Sequence, residues 1–309
     1  MNWTVLKKMI SRYQQYFTAA LSLLFMALLI RIFISKKEYL AQLDWQIFSE
    51  QWYFIPVLFM MVWLNWMLEA KKWQLITANS SLWDSLKIVL TGLLFKQFIP
   101  FGLGELSGRI LADNHTGKLE ATGAFMLVGF VQFSISVLFG TFGFFWLAGQ
   151  TSFRVASQFT VLLVVTILTI AVSLIWYKKI ATLYRKWFDK IRNVSRKNFY
   201  RLVLLSAGRY LVYFIQSVII YYLFNSAVPL SLIAAGISFV FLAKTIVPSV
   251  GFIGDLGIRG FSAVLFFSYF DVQTLPVILA GFSVWVINIF LPSFVALFLM
   301  RKLSFYSKV

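Results

Sequence analysis

Two short stretches of this 309-residue chain set charged residues among segments as apolar as lipid. Residues 96–109 read KQFIPFGLGELSGR, and residues 244–260 read KTIVPSVGFIGDLGIRG. Each runs through a Lys, a Pro, glycines, one acid and an Arg in that order. An Arg fork can hold phosphate bidentately, and a Lys acts as a point charge. The chemistry these residue types suit is capture of an anion. The candidate binding residues are therefore Lys96, Glu105, Arg109, Lys244, Asp255 and Arg259. Left to hydrocarbon, six such charges would cost on the order of 15–20 kcal/mol. They must pair, reach water or hold a ligand, and internal pairing that merely pins the helices is the competing reading.

The neutral residues of the two stretches belong to the same argument. Pro100 and Pro248 remove a backbone donor and disfavour helix at the preceding residue. Gly102, Gly104, Gly251 and Gly254 permit reversal and close backbone approach, so these six positions are the expected helix breaks. Broken backbone survives at membrane depth only inside protein or beside a water-filled cavity. A new half-helix is expected near Glu105 and again near Asp255, its free N–H groups suited to an anion. An acid at a helix start also caps it, which is the bland alternative.

Other polar residues are weaker candidates. Arg209, inside the apolar run 202–224, either faces the same cavity or snorkels to the nearby edge, and is a secondary candidate. Gln132, Gln216 and Asn288 are expected to hydrogen-bond between helices. The segment EAKKWQLI at 69–76 reads as a cytoplasmic anchor, and His115 as an interface residue. With no Cys and one His, thiolate chemistry and multi-His metal sites are excluded. GLGELSG lacks the strand and the GK[ST] ending of a nucleotide loop. A lipid-phosphate enzyme would have only Glu105 and Asp255 as base or nucleophile. No enzymatic activity, no cofactor and no metal are expected.

The elements that must position these residues follow from composition. The chain is 60% hydrophobic and 13% charged, with a mean hydropathy of +0.82. Soluble domains carry roughly 25% charged residues, so this is an all-α polytopic membrane protein. The net charge of +17 then reports orientation and attraction to anionic headgroups, and no nucleic-acid partner is expected. Apolar runs lie near 16–34, 52–68, 86–101, 122–148, 155–176, 202–224, 230–247, 252–267 and 274–300. The N-terminal run is expected to be a retained helix, because no small-residue cleavage site follows it.

Segment 177–201 carries Lys and Arg in large excess over a single Asp, which places it in the cytoplasm with both basic termini. That arrangement closes if 86–113 and 230–267 are re-entrant pairs rather than full spans. Residues 86–99 would extend roughly 21 Å as a helix, short of a core about 30 Å thick. Lys96 and Lys244, like Pro100 and Pro248, stand 148 positions apart; Glu105 and Asp255, like Arg109 and Arg259, stand 150 apart. The 1–309 membrane domain is thus expected to comprise two halves, 1–150 and 151–309. Each has three spanning helices and one re-entrant pair, and the halves form inverted-topology repeats.

The stretch LLFKQFIPFGLGELSGRILADNHTG resembles the first signature of the flippase-like membrane domain of lysylphosphatidylglycerol synthases. FLAKTIVPSVGFIGDLGIRGFSAVL resembles the second, a Pro–Gly–Gly–acid–Arg element. Leu103–Gly104–Glu105 and Phe252–Ile253–Gly254 depart from the paired glycines many members carry there. The resemblance implies handling of lipids across the inner membrane by a stand-alone member without the aminoacyl-transfer domain. The expected function is translocation of an anionic or modified phospholipid, or of an isoprenoid-linked lipid. The alternative is a non-transporting partner of an envelope-lipid synthase or glycosyltransferase. Membrane lipids are the expected partners; such a separately encoded enzyme and a second copy of the chain are the protein partners this reading admits.

Overall fold

A computed structural model of the protein describes residues 50–77, 81–99, 102–113, 115–150, 194–247 and 251–300, with 31 and 34. The expected helix at 155–176, most of that at 16–34, segment 177–193, the far termini, Pro100 and Pro248 lie outside the described residues. Every regular element among the described residues is helical. They are α1 (Phe54–Thr77), α2 (Leu82–Lys96), α3 (Leu103–Ala112), α4 (Lys118–Gln150), α5 (Arg196–Phe224), α6 (Leu230–Ile246), α7 (Gly251–Ser268), α8 (Thr274–Trp285) and α9 (Leu291–Met300).

Among the described residues, four helices are long and apolar enough to cross a membrane: α1, α4, α5, and the 26-residue unit Thr274–Leu299 made from α8 and α9. The protein is a multi-pass membrane protein. The exterior agrees, since Met60, Leu138, Phe142 and Phe298 are exposed where a soluble protein would place polar groups. The pieces between the spans are shorter, at 15 residues in α2, 10 in α3, 17 in α6 and 18 in α7.

Local sequence explains the ends. Ser81 Oγ accepts from Asp84 N at 3.0 Å and starts α2; Ser195 Oγ accepts from Asn198 N at 3.2 Å and starts α5. At the end of α3, Asp113 accepts from the backbone N–H groups of His115 and Thr116 and from Trp73 Nε1, which ties the turn to α1. Between α8 and α9, Val286–Phe290 forms a π turn. Pro292 has no N–H to give to the carbonyl four residues back, so Asn288 O is free to accept from Trp66 Nε1 at 3.2 Å.

Packing is reciprocal. The first helix of each short pair packs on its own partner, α2 on α3 and α6 on α7. Each also packs on the preceding span, α2 on α1 and α6 on α5. Between elements far apart in the chain, α2 lies against α9 and α6 against α4, while α1 lies against α5. The α2–α3 contact is close because glycines form it. A Cβ at Gly108 would meet Thr91 O at 2.8 Å and Gly92 Cα at 2.9 Å. In place of hydrophobic sorting, such backbone approach supplies the van der Waals contact that holds helices together in lipid.

Candidate functional site: a shared cavity lined by two ion-pair triads

The chain turns between α2 and α3 with Gly102 at φ +73°, and between α6 and α7 with Gly251 at φ +59°. These left-handed residues are where glycine is needed. Gly104 and Gly254, expected in the breaks, lie inside α3 and α7 instead. Gly104 serves as a contact point, since a Cβ there would meet Phe95 O at 2.5 Å. Glu105 lies in the first turn of α3 as expected, but α7 starts at Gly251, so Asp255 is one turn in and is no cap.

Each pair builds the same constellation. In the first, Lys96 Nζ lies 3.0 Å from Glu105 Oε2, and Arg109 Nη2 lies 2.6 Å from Glu105 Oε1. In the second, Lys244 Nζ lies 2.7 Å from Asp255 Oδ1, and Arg259 Nε lies 2.9 Å from Asp255 Oδ2. The acid–Arg pairs close over one helical turn, at i,i+4. The Lys reaches across from the helix before the break, so each triad locks its pair. Arg259 Nη1 also donates to Tyr213 Oη at 2.7 Å.

A third acid, on α1, joins the cluster. Glu69 Oε1 accepts from Arg109 Nη2 at 2.8 Å, and Glu69 Oε2 lies 2.6 Å from Lys72 Nζ and 2.9 Å from Arg209 Nη1. Lys72 is fully buried and also donates to Gln132 Oε1 at 2.8 Å. The anchor reading of 69–76 is thereby corrected: Glu69 and Lys72 face inward, and only Lys71 of the three charges is exposed. Arg209 pairs inward as well, its guanidinium 5.3 Å from the Trp66 ring. Gln132 and Gln216 bond between helices as expected, Gln216 Nε2 to Leu58 O at 3.0 Å. The Asn288 side chain bonds within its own helix, to Val284 O. His115 is exposed.

Two adjoining cavities of about 450 and 330 Å³ lie between the pairs, and Lys96, Arg209, Tyr213, Lys244 and Arg259 line both. Asp255 lines the larger; Glu69, Glu105 and Arg109 line the smaller. The walls thus carry five cations and three acids, with Lys72 directly behind. Accessibility divides the cations. Arg109 is 2% exposed, sandwiched between Trp73 at 4.9 Å and Phe125 at 5.5 Å, whereas the Lys96 side chain is 43% exposed. Lys96, Arg209, Lys244 and Arg259 line both cavities and are each more exposed than Arg109, which is set behind them. No group of three metal-ligating side chains occurs among the described residues.

A helical membrane protein with paired, charge-lined helix breaks is the class this geometry defines. The family model described as the lysylphosphatidylglycerol synthase TM region matches residues 18–296. The chain belongs to this family, and so to a group of membrane domains associated with lipid handling. No curated protein and no solved structure matches the chain.

Proposed function

We propose that the protein translocates an anionic or modified phospholipid, or an isoprenoid-linked lipid, across the inner membrane. The observation that carries this reading is the excess of cations over acids around the shared cavity. Pairing consumes each acid at least twice, as Glu105 is shared by Lys96 and Arg109 and Asp255 by Lys244 and Arg259. Positive charge is left over in a setting of low dielectric, where a phosphate would neutralise it.

The transport part of the reading rests on architecture. Two short helix pairs, each broken at a left-handed glycine and each carrying a Lys–acid–Arg triad, pack reciprocally against the two halves. In our reading these pairs are re-entrant, the first from the cytoplasm and the second from outside, and the halves are inverted repeats. Both termini are then cytoplasmic. Such a scaffold alternates access to a central site by rocking one half against the other. The protein is a carrier in this account and performs no covalent chemistry.

The test is reconstitution of the purified chain in vesicles with fluorescent phosphatidylglycerol or an isoprenoid-linked phosphate lipid. Protein-dependent exchange between leaflets is expected, and it should fall at least tenfold in Arg259→Ala and in Arg109→Ala that remain folded. Intact exchange in both variants would remove these residues from the site. Because every acid is internally paired, the ion pairs also suit a scaffold for an envelope-lipid synthase or glycosyltransferase. Absence of exchange together with co-purification of such an enzyme would favour that second reading.

A further inference from the structure

The cavity wall also contains neutral polar groups that the ion pairs leave unused. Asn65 on α1 and Asn288 in the π turn are each 2% exposed, and both line the 450 Å³ cavity. The Oδ1 of each is buried with no hydrogen-bond partner among the described residues. For Asn288 the amide orientation is set by Nδ2, which donates to Val284 O at 3.2 Å and leaves the oxygen as the spare group. A buried acceptor without a donor is costly, and these two, on one cavity wall, are placed to take a donor from a ligand there.

The π turn is a second and independent pointer. Pro292 removes a helical hydrogen bond at Asn288, and the widened turn is held by Trp66 Nε1 on the Asn288 carbonyl. Single π turns inside α-helices are frequent at functional sites. Here the turn sets Asn288 beside Trp66 and Asn65, all three lining the same cavity.

Donors on a ligand can be ammonium groups or hydroxyls. Four cations, Lys96, Arg209, Lys244 and Arg259, share this wall with one acid, Asp255, which Lys244 and Arg259 already pair, so an ammonium would be repelled while a neutral hydroxyl would not. We propose that Asn65 and Asn288 form a headgroup subsite for a polyol, glycerol or sugar, attached to the phosphate that the cations hold. The proposal rests on the anionic-lipid reading and narrows it to phosphate–polyol lipids, against lipids with an aminoacyl or amine headgroup.

Binding of short-chain lipids to the purified full chain, measured by native mass spectrometry, tests it. The probes are dioctanoyl phosphatidylglycerol, dioctanoyl phosphatidylmethanol, which has the same charge and no hydroxyl, and dioctanoyl phosphatidylethanolamine. Phosphatidylglycerol is expected to bind about tenfold tighter than phosphatidylmethanol, as two neutral hydrogen bonds would give. Phosphatidylethanolamine should bind weakest. Asn288→Ala and Asn65→Ala should each lower phosphatidylglycerol towards phosphatidylmethanol and leave phosphatidylmethanol unchanged. Equal binding of the two anionic lipids by the unaltered protein, which needs no variant to fold, would overturn the subsite. So would equal losses for both lipids in the variants, or phosphatidylethanolamine binding as tightly as phosphatidylglycerol. Displacement by soluble glycerol phosphate at equal concentration would make the occupant a free polyol phosphate and overturn the lipid assignment. Failure of either anionic lipid to bind above phosphatidylethanolamine would overturn the anionic-lipid reading itself.

Discussion

Gly251 lies directly against the backbone carbonyl of Gln97: a Cβ at Gly251 would stand 2.8 Å from that oxygen. The break between α6 and α7 therefore touches the end of α2, and the two charged pairs form one structure rather than two separate loops. Gly251 also sits at φ +59°, where a side chain is strained whatever the space.

Gly251→Val should consequently separate the pairs. A loss of about 2 kcal/mol or more is expected from the strain and the clash, read as an earlier thermal transition of the detergent-solubilised protein. Anionic-lipid binding should fall with it. A Val variant of unchanged stability and binding would show that the contact between the breaks is dispensable.

Glu69 is the acid on which most depends, because Lys72, Arg109 and Arg209 all converge on it. Removing one member of a buried ion cluster leaves uncompensated charge and costs about 3–5 kcal/mol. Glu69→Gln should lower the unfolding temperature more than any single change at an exposed charge such as Lys71. Equal effects at Glu69 and Lys71 would contradict the inward assignment.

Lys96 behaves oppositely. Its side chain is 43% exposed and its pair with Glu105 opens to the cavity, so the pair stabilises by no more than about 1 kcal/mol. Lys96→Gln should leave melting nearly unchanged while weakening phosphatidylglycerol binding several-fold, measured by native mass spectrometry. Loss of stability with full binding retained would assign Lys96 to structure alone.

Much of the architecture could be read from hydropathy. The apolar runs at 122–148, 202–224 and 230–247 coincide with α4, α5 and α6 to within six residues at each end. The two Lys–acid–Arg stretches announced themselves because charge is rare in such surroundings. Glu69 and Lys72 were hidden because Lys71 and Lys72 together look like an anchor, and their partners Arg109 and Gln132 lie far along the chain. A signal was available, since Asn65, Glu69 and Lys72 recur at helical spacing on one face of α1. Which glycine of each stretch takes the left-handed conformation was not legible, because neighbouring glycines are equally able to do so. In lipid, both faces of a helix are apolar, so hydrophobic pattern says little about which face packs.

The most direct test of the central claim, that the two charged pairs enter from opposite faces to build one site, uses the absence of native Cys. His115→Cys, just after α3, and Tyr269→Cys, just after α7, are labelled in intact cells and in broken membranes with an impermeant maleimide. Position 269 should react in intact cells and position 115 only once the membrane is broken. Labelling of both positions from the same side would contradict it.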